Sequence, residues 1–360
     1  MTMLEGLNRQ ETRDFAVSQG LPAFRGDQLH DAVMKGLDFP EMTTLPRALR
    51  DSLQTISVAC SVSIRERYVS KLDGTIKYLF ALRDGNCVEG VLMHYHYGYS
   101  LCISTQVGCN MGCAFCASTL DGCVRNLTAS EMIGEVLCAN RDLGDKGRVG
   151  HIVLMGAGEP LDNFEEVTHF LRLVRDEDGV GVGLRNVSVS TCGLVEKMRK
   201  FADMNLPVTL SVSLHAPNDV IRRKIMPVAR RYSMEELLEA CRYYVEKTGR
   251  RVIFEYALIG GVNAGVEHAK ELAQRLRGLQ CHVNLIPLNA VPERHLKGVD
   301  ENTVQAFLHT LEKLHISATR RREMGDDIAG ACGQLRRKVL TGGEHIEEQS
   351  SGQSSAANDG

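Results

Sequence analysis

The chain has 360 residues and a mass of 39.7 kDa, room for one large α/β domain and an appendage. Hydrophobic residues make up 43% and charged residues 24%, as in ordinary globular proteins, and a formal net charge of −3 selects neither for nor against a polyanionic partner. Glu5, Arg9, Glu11 and Arg13 interrupt the N-terminus and no stretch nears the ~20 apolar residues of a membrane span, so neither a secretory signal nor a membrane-spanning helix is expected, and the expected location is the cytoplasm.

Residues 1–80 are expected to form a small accessory unit with RNA as its candidate partner. "GDQLHDAVMKGL" and "LPRALRDSLQTI" are short amphipathic helix candidates, and Leu29, Val33 and Leu37 share one face. Strand-like runs follow: "VSIRERYVS", "IKYLFALR" and "VEGVLMHY". From residue 100, strands predicted at 101–106, 150–155, 186–191, 208–213, 252–257 and 281–286 alternate with helices. Thr128 with Glu131, and Ser233 with Glu236, fit capping boxes at two helix starts. Met132, Ile133, Val136 and Leu137 form an apolar stripe behind the first. Six such units over 81–340 imply a parallel sheet covered by helices, either doubly wound or a partial barrel, with function at the C-terminal strand ends. The final segment, 341–360, is rich in Ser, Gly, Gln and Asn; it carries Glu344, Glu347, Glu348 and Asp359 without a Lys or Arg and reads as disordered.

Chemistry-bearing residues collect at the predicted strand ends. "GCNMGCAFCAS" sets Cys109, Cys113 and Cys116 directly after the first strand. In a chain without a signal peptide a close cysteine cluster points to a metal or to catalysis, not to disulfides. Its C-x3-C-x2-C spacing lacks the paired ligands of zinc ribbons, and no fourth ligand follows nearby. Three thiolates on a four-iron cluster leave one iron open for a substrate, so the spacing favours iron–sulfur over zinc. The isolated Cys60, Cys138, Cys241 and Cys281 read as small buried apolar residues. The second strand runs into Gly156-Ala157-Gly158-Glu159-Pro160, where the glycines admit close backbone approach and Glu159 can accept from an ammonium group. Ser190 and Thr191 end the third strand, and Ser213 and His215 end the fourth on one face. Each alone is ordinary; four successive polar strand ends suggest a shared polar ligand.

These motifs resemble the radical S-adenosylmethionine (SAM) enzymes, and within them the RlmN/Cfr family of RNA adenine methyltransferases. The matching pieces, in the family's order from residue 102 to 335, are "CISTQVGCNMGCAFCAS", "LMGAGEPLDNFEE", "SVSLHAP", "HVNLIPLN" and "RREMGDDIAGACGQL". The resemblance implies a partial (βα)6 TIM-like barrel. It also implies a 4Fe–4S cluster on Cys109, Cys113 and Cys116, and SAM, used twice per turnover, on Gly158, Glu159, Ser190, Ser213, Leu214, His215 and Asn289.

In the family's chemistry, carried over by position, Cys332 accepts a methyl from one SAM. A 5′-deoxyadenosyl radical from a second SAM abstracts hydrogen from that methyl, and the carbon radical adds to adenine C2. Cys102 then attacks the Cys332 sulfur, releasing methylated RNA with a transient disulfide, and Glu89 is the base for the C2 proton. The implied substrates are adenine 2503 of 23S rRNA and adenine 37 of tRNA. A flavodoxin- or ferredoxin-like electron donor and a monomeric state complete the expectation.

Basic runs at Arg320–Arg322 and Arg336–Lys338 bracket Cys332 and suggest phosphate contacts, with Arg222-Arg223-Lys224 and Arg250-Arg251 elsewhere. With no Trp and 5% aromatic residues, stacking platforms are not expected to dominate RNA binding. Gly330, Leu288 and Cys192 depart from the family pattern, and Cys192 is expected to be open to oxidation or adventitious metal. Two alternatives remain: a Cfr-type enzyme acting on adenine C8, against which Pro160 and Pro287 argue, and a zinc-stabilised RNA-binding protein without catalysis. A peptide-modifying radical SAM enzyme would leave the Cys102–Cys332 pair without a role.

Overall fold

The first sixty residues are helical because their starts are well made. In the computed structural model, which describes residues 1–289, 291, 293–330 and 338–339, β1 (Thr2–Met3) leads to α1 (Arg9–Ser18). Asn8 caps α1 by accepting from the Glu11 amide while Glu11 reaches back to the Asn8 amide. Next come α2 (Ala23–Val33), α3 (Arg47–Ile56) and β2 (Ser57–Val58), and β2 pairs in parallel with β1. Leu4, Leu29, Val33, Phe39, Leu45 and Leu53 form a small core of their own. Leu37 lies past the end of α2, which stops at Val33, yet still packs against that core.

Three antiparallel strands follow: β3 (Val62–Val69), β4 (Ile76–Leu82) and β5 (Asn86–Tyr95). The expected boundary at residue 80 falls inside β4. The helical unit's core ends at Ala59, whereas β3 to β5 continue the main sheet, since β5 pairs with β6 (Gly98–Cys102). The predicted strand 101–106 ends at Cys102, because Ser104–Gln106 turn their polar groups inward. Ser104 Oγ donates to the Glu89 carbonyl and accepts from the Ala157 amide. Asn163 Nδ2 donates to the Thr105 carbonyl. Beyond them β7 (Gln106–Gly108) pairs antiparallel with β8 (Cys123–Asn126), framing the cysteine loop.

Helices and strands then alternate: α4 (Ala129–Leu143), β9 (Val149–Leu154), α5 (Phe164–Val174), β10 (Val187–Thr191), α6 (Val195–Asp203), β11 (Thr209–Ser213), α7 (Asp219–Ile225), α8 (Met234–Thr248), β12 (Val252–Leu258), α9 (Val266–Leu276), β13 (Cys281–Pro287), α10 (Glu301–Lys313) and β14 (Ala318–Arg320). Both expected capping boxes are present, Thr128 with Glu131 and Ser233 with Glu236. Strands β6, β9, β10, β11, β12, β13 and β14 are parallel neighbours in that order, so the six predicted strands gain a short seventh. The α4 stripe, Met132, Ile133, Val136 and Leu137, is buried against the sheet with Leu101, Ile152 and Val189. The result is an α/β architecture, a mixed sheet whose parallel part bears helices. A last strand, β15 (Lys338–Val339), pairs antiparallel with β5. Among the described residues no helix is long and apolar enough to cross a membrane.

Candidate active site

One cavity gathers the C-terminal strand ends. Its wall includes Cys102 at the end of β6, Gly156, Gly158 and Glu159 after β9, Ser190 in β10, Ser213 and His215 around the end of β11, and Asn289 after β13. Cys109, Cys113 and Cys116 join it from the loop between β7 and β8. Backbone bonds fix this loop: Cys109 donates to Gly122 O at 2.9 Å and Ala114 to Ile225 O at 2.8 Å. Gly108 is required at its entry, with φ +81° and no space for a Cβ, which would lie 2.0 Å from Gly122 O. Burial pushes the Cys109 thiol up to about 12 and the Cys113 thiol further, so loading iron must release protons. Among the described residues no three His, Cys, Asp or Glu side chains have the spacing of ligands to a single metal ion.

The strand-end groups form a second, polar part of the wall. Gly158 has φ +111°, and a Cβ there would come within 2.7 Å of Thr105 Oγ1. Its neighbour Glu159 is buried, which raises its carboxyl pKa. The carboxylate accepts from the Leu161 amide at 3.0 Å and the Cys192 amide at 2.6 Å. His215, at φ +52°, accepts from the Ala257 amide through Nδ1 at 2.9 Å, and burial lowers its pKa to about 3. The neutral ring therefore carries its proton on Nε2, and it meets Phe115 of the cysteine loop edge-on at 4.6 Å. Glu255 in β12 is also buried in the wall, and its Oε2 has no hydrogen-bond partner among the described residues. Three thiols, a glycine cradle, a buried carboxylate and a neutral imidazole fit a cluster with SAM beside it.

Some expected residues lie elsewhere. The Leu214 side chain packs in the main core, and its amide donates to Glu255 O. Glu89 does not line the cavity. It is buried in β5, not solvated, and its carboxylate stands 3.6 Å from Lys77 Nζ. It shares a face with Val91, which pairs with Cys102. Cys332, Arg336 and Arg337 lie outside the described residues, as does the expected disordered tail. Cys192 is fully buried with its thiol hydrogen-bonded to Glu159, so the expected exposure to oxidants is not met. Cys241 is buried, whereas Cys60, Cys138 and Cys281 are half-buried.

Sequence reasoning missed Arg222, grouped there with a surface charge run. It is fully buried on α7, and its guanidinium donates to Cys192 O at 2.6 Å and to Leu214 O and Ser213 O at 3.2 Å. Nothing distinguished it locally except its spacing from buried Ile225. The Arg320–Arg322 run is also divided: Arg320 pairs with Glu301 and Glu323, Arg321 stands 3.7 Å from Glu255, and Arg322 is exposed at the cavity wall.

The sequence profile of the Radical SAM superfamily matches residues 103–273. A probable dual-specificity RNA methyltransferase RlmN of Alkaliphilus oremlandii is 51% identical over 338 residues, 94% of this chain and 98% of that protein. The protein of the same name from Lachnospira eligens is 48% identical over 355 residues, 98% of this chain and 100% of that one. The chain belongs to the RlmN family. A crystal structure of a radical SAM methyltransferase from Sphaerobacter thermophilus, 42% identical, superposes with a TM-score of 0.90 over 93% of this chain and 99% of that one. The RlmN cofactors, a 4Fe–4S cluster and SAM consumed twice per turnover, are thus this chain's as well.

Proposed function

We propose that this chain methylates C2 of adenine in RNA, at adenine 2503 of 23S rRNA and adenine 37 of tRNA. The observation that carries the reading is nearly end-to-end similarity to proteins named dual-specificity RNA methyltransferases. The resemblance of Pro160 and Pro287 to the RlmN pattern, and not to the Cfr pattern, favours C2 over C8. Adenine C2 lies between two ring nitrogens and is electron-poor, so it cannot act as the nucleophile in a simple methyl transfer. A cluster and SAM, when bound, would supply radical chemistry in its place, with electrons from a flavodoxin- or ferredoxin-like donor.

The chain's own groups divide the remaining work. Cys109, Cys113 and Cys116 hold the cluster. Gly158, Glu159, Ser190, Ser213, His215 and Asn289, with the Leu214 backbone, hold SAM. Cys332 carries the methyl to the base, a covalent strategy that replaces one unfeasible step by several feasible ones. Glu89 takes the C2 proton, and its shared face with Val91, beside Cys102, supports that role. The Cys102 thiolate then attacks the Cys332 sulfur; the bond from that sulfur to the product carbon breaks, its electron pair goes to the product, the carbon takes up a proton to complete the methyl group, and a disulfide remains.

The test is an anaerobic assay with reconstituted protein, SAM, reductant and an RNA fragment containing the target adenine, followed by nucleoside mass spectrometry. 2-Methyladenosine is expected. 8-Methyladenosine would overturn the position, and unmodified RNA with a loaded cluster would overturn the activity.

A further inference from the structure

The turn between β5 and β6, His94-Tyr95-His96-Tyr97-Gly98-Tyr99, concentrates rings in a chain that has few. Val91, Met93 and Tyr95 alternate onto one face of β5 and all line the cavity. Val91 pairs with Cys102, whereas Tyr95 pairs with Gly98 at the opposite end of β6. One wall thus leads from the Cys102 thiol to the aromatic turn, away from the groups assigned to the cluster and SAM. There Tyr95 stacks on Tyr97, with centroids 5.0 Å apart and planes 11° from parallel. His96 and His151 meet the Tyr97 ring edge-on at 5.1 and 4.7 Å. Tyr97 is held from three sides and is still 51% exposed. Arg321 and Arg322 belong to the same cavity wall, near enough for both to act electrostatically on Tyr95 and for Arg321 to act on Tyr97.

We propose that this turn is the docking surface for unpaired RNA nucleotides next to the target adenine, one base stacking on Tyr97 and the adjoining phosphate meeting Arg322. The inference rests on the RNA methyltransferase reading and names what receives the substrate at that site. An adenine entering a cavity must leave its stack, and its neighbours lose a stacking partner. A braced, exposed ring replaces that partner for any base, and a nearby cation suits the backbone. Double-stranded RNA, read by shape and 2′-hydroxyls across a groove, would have no use for an exposed ring stacked on a residue of the cavity wall.

The experiment uses the reconstituted full-length protein with SAM. Its probes are a stem–loop RNA with the target adenine in the loop and 2-aminopurine beside it, and a fully paired duplex of the same length. Wild-type protein should bind the stem–loop more tightly than the duplex and change the 2-aminopurine fluorescence. Tyr97→Ala and Tyr97→Leu should weaken stem–loop binding about fivefold or more, raise KM with little change in kcat, and lose the fluorescence change; Tyr97→Phe should stay within about twofold of wild type. Arg322→Gln should lower the salt slope of binding by about 0.7. Unchanged affinity and fluorescence in both Tyr97→Ala and Tyr97→Leu, with wild type still methylating the RNA, would overturn the docking surface alone. Equal binding of the duplex would do the same. A wild-type protein that methylates no RNA would overturn the activity and this inference with it.

Discussion

Cys102 and Cys332 are both thiols outside the cluster loop, yet losing each should have a different consequence. Cys102→Ala should still carry the methyl to the base but lack the thiol that frees the product. It should accumulate an RNA–protein adduct that survives denaturation and runs slowly on a gel, and Cys102→Ala/Cys332→Ala should give none. A shifted band from the double variant would remove Cys332 from the bond. Thiolate attack on sulfur needs close approach, so half-buried Cys123, which lies on the hairpin strand β8, should not substitute. Arg222 presents a structural question of the same size. Its donors join the ends of β10 and β11 to α7 through three carbonyls, and at about 1 kcal/mol per net hydrogen bond Arg222→Met should cost about 2–4 kcal/mol in urea unfolding. Arg222→Lys should recover little, because an ammonium cannot reproduce the planar fork. A loss below about 0.5 kcal/mol would show that the carbonyls find other donors.

The segment before Cys332 is fastened to the turn between β3 and β4 and to the start of β4. Gly325 donates to Asp73 Oδ2 at 3.0 Å, the Lys71 amide donates to Asp327 Oδ2 at 2.9 Å, and Lys77 Nζ donates to Ala329 O at 3.3 Å. Asp73→Ala with Asp327→Ala should speed amide exchange over 325–330 and reduce methyl transfer to RNA several-fold, with SAM affinity unchanged. Unchanged exchange would mean that packing of Met324 on Val91 and Cys102 holds the segment by itself. This fastening was not legible in the sequence, because it joins residues some 250 positions apart. Local features were legible: the Thr128 and Ser233 caps lie three residues from their partners, and buried strands β9 to β13 are short apolar runs between turns. β14 was hidden because its Ala318–Arg320 run leads into arginines, and it becomes a strand only by pairing with β13. The boundary at residue 80 was misplaced for a related reason: period-two alternation identifies β3 and β4 without saying which sheet they join. In "IRRK" the charges masked the helical spacing that turns Arg222 inward with Ile225 while Arg223 and Lys224 stay exposed. The candidate site was legible as motifs, but the cavity wall beneath it, with Phe115, Glu255 and Tyr95, comes from strands that only the fold brings together.

Across the whole molecule, buried titratable groups pull stability in opposite directions with pH. His215 is held neutral with its pKa lowered to about 3, so between that value and the ordinary histidine pKa the unfolded chain binds the extra proton. Stability from this group is complete above about pH 6.5 and is lost as the pH falls. Glu5 joins the helical unit to the main sheet by accepting from the Ser61 amide at 2.7 Å and from the Ser61 hydroxyl. Burial raises its pKa to about 8, so there the folded chain keeps a proton that the unfolded chain has released. Its stabilisation is complete below the ordinary glutamate pKa and is lost as the pH rises toward 8. The two slopes oppose each other between about pH 4.5 and 6.5; above that window Glu5 acts without His215, and Glu135, Glu159 and Glu255, also raised by burial, push the same way. Urea unfolding of the cluster-free protein should therefore show stability falling from pH 6.5 to 8, with Glu5 contributing about 1.4 kcal/mol per pH unit. Glu5→Gln keeps an oxygen to accept from the Ser61 amide and cannot ionise, so its curve should be flatter by that amount, and the variant should be more stable than wild type at pH 8. A slope unchanged by Glu5→Gln would mean that this carboxyl is already ionised in the folded protein at pH 6.5, and that the joint between the helical unit and the sheet holds a charge.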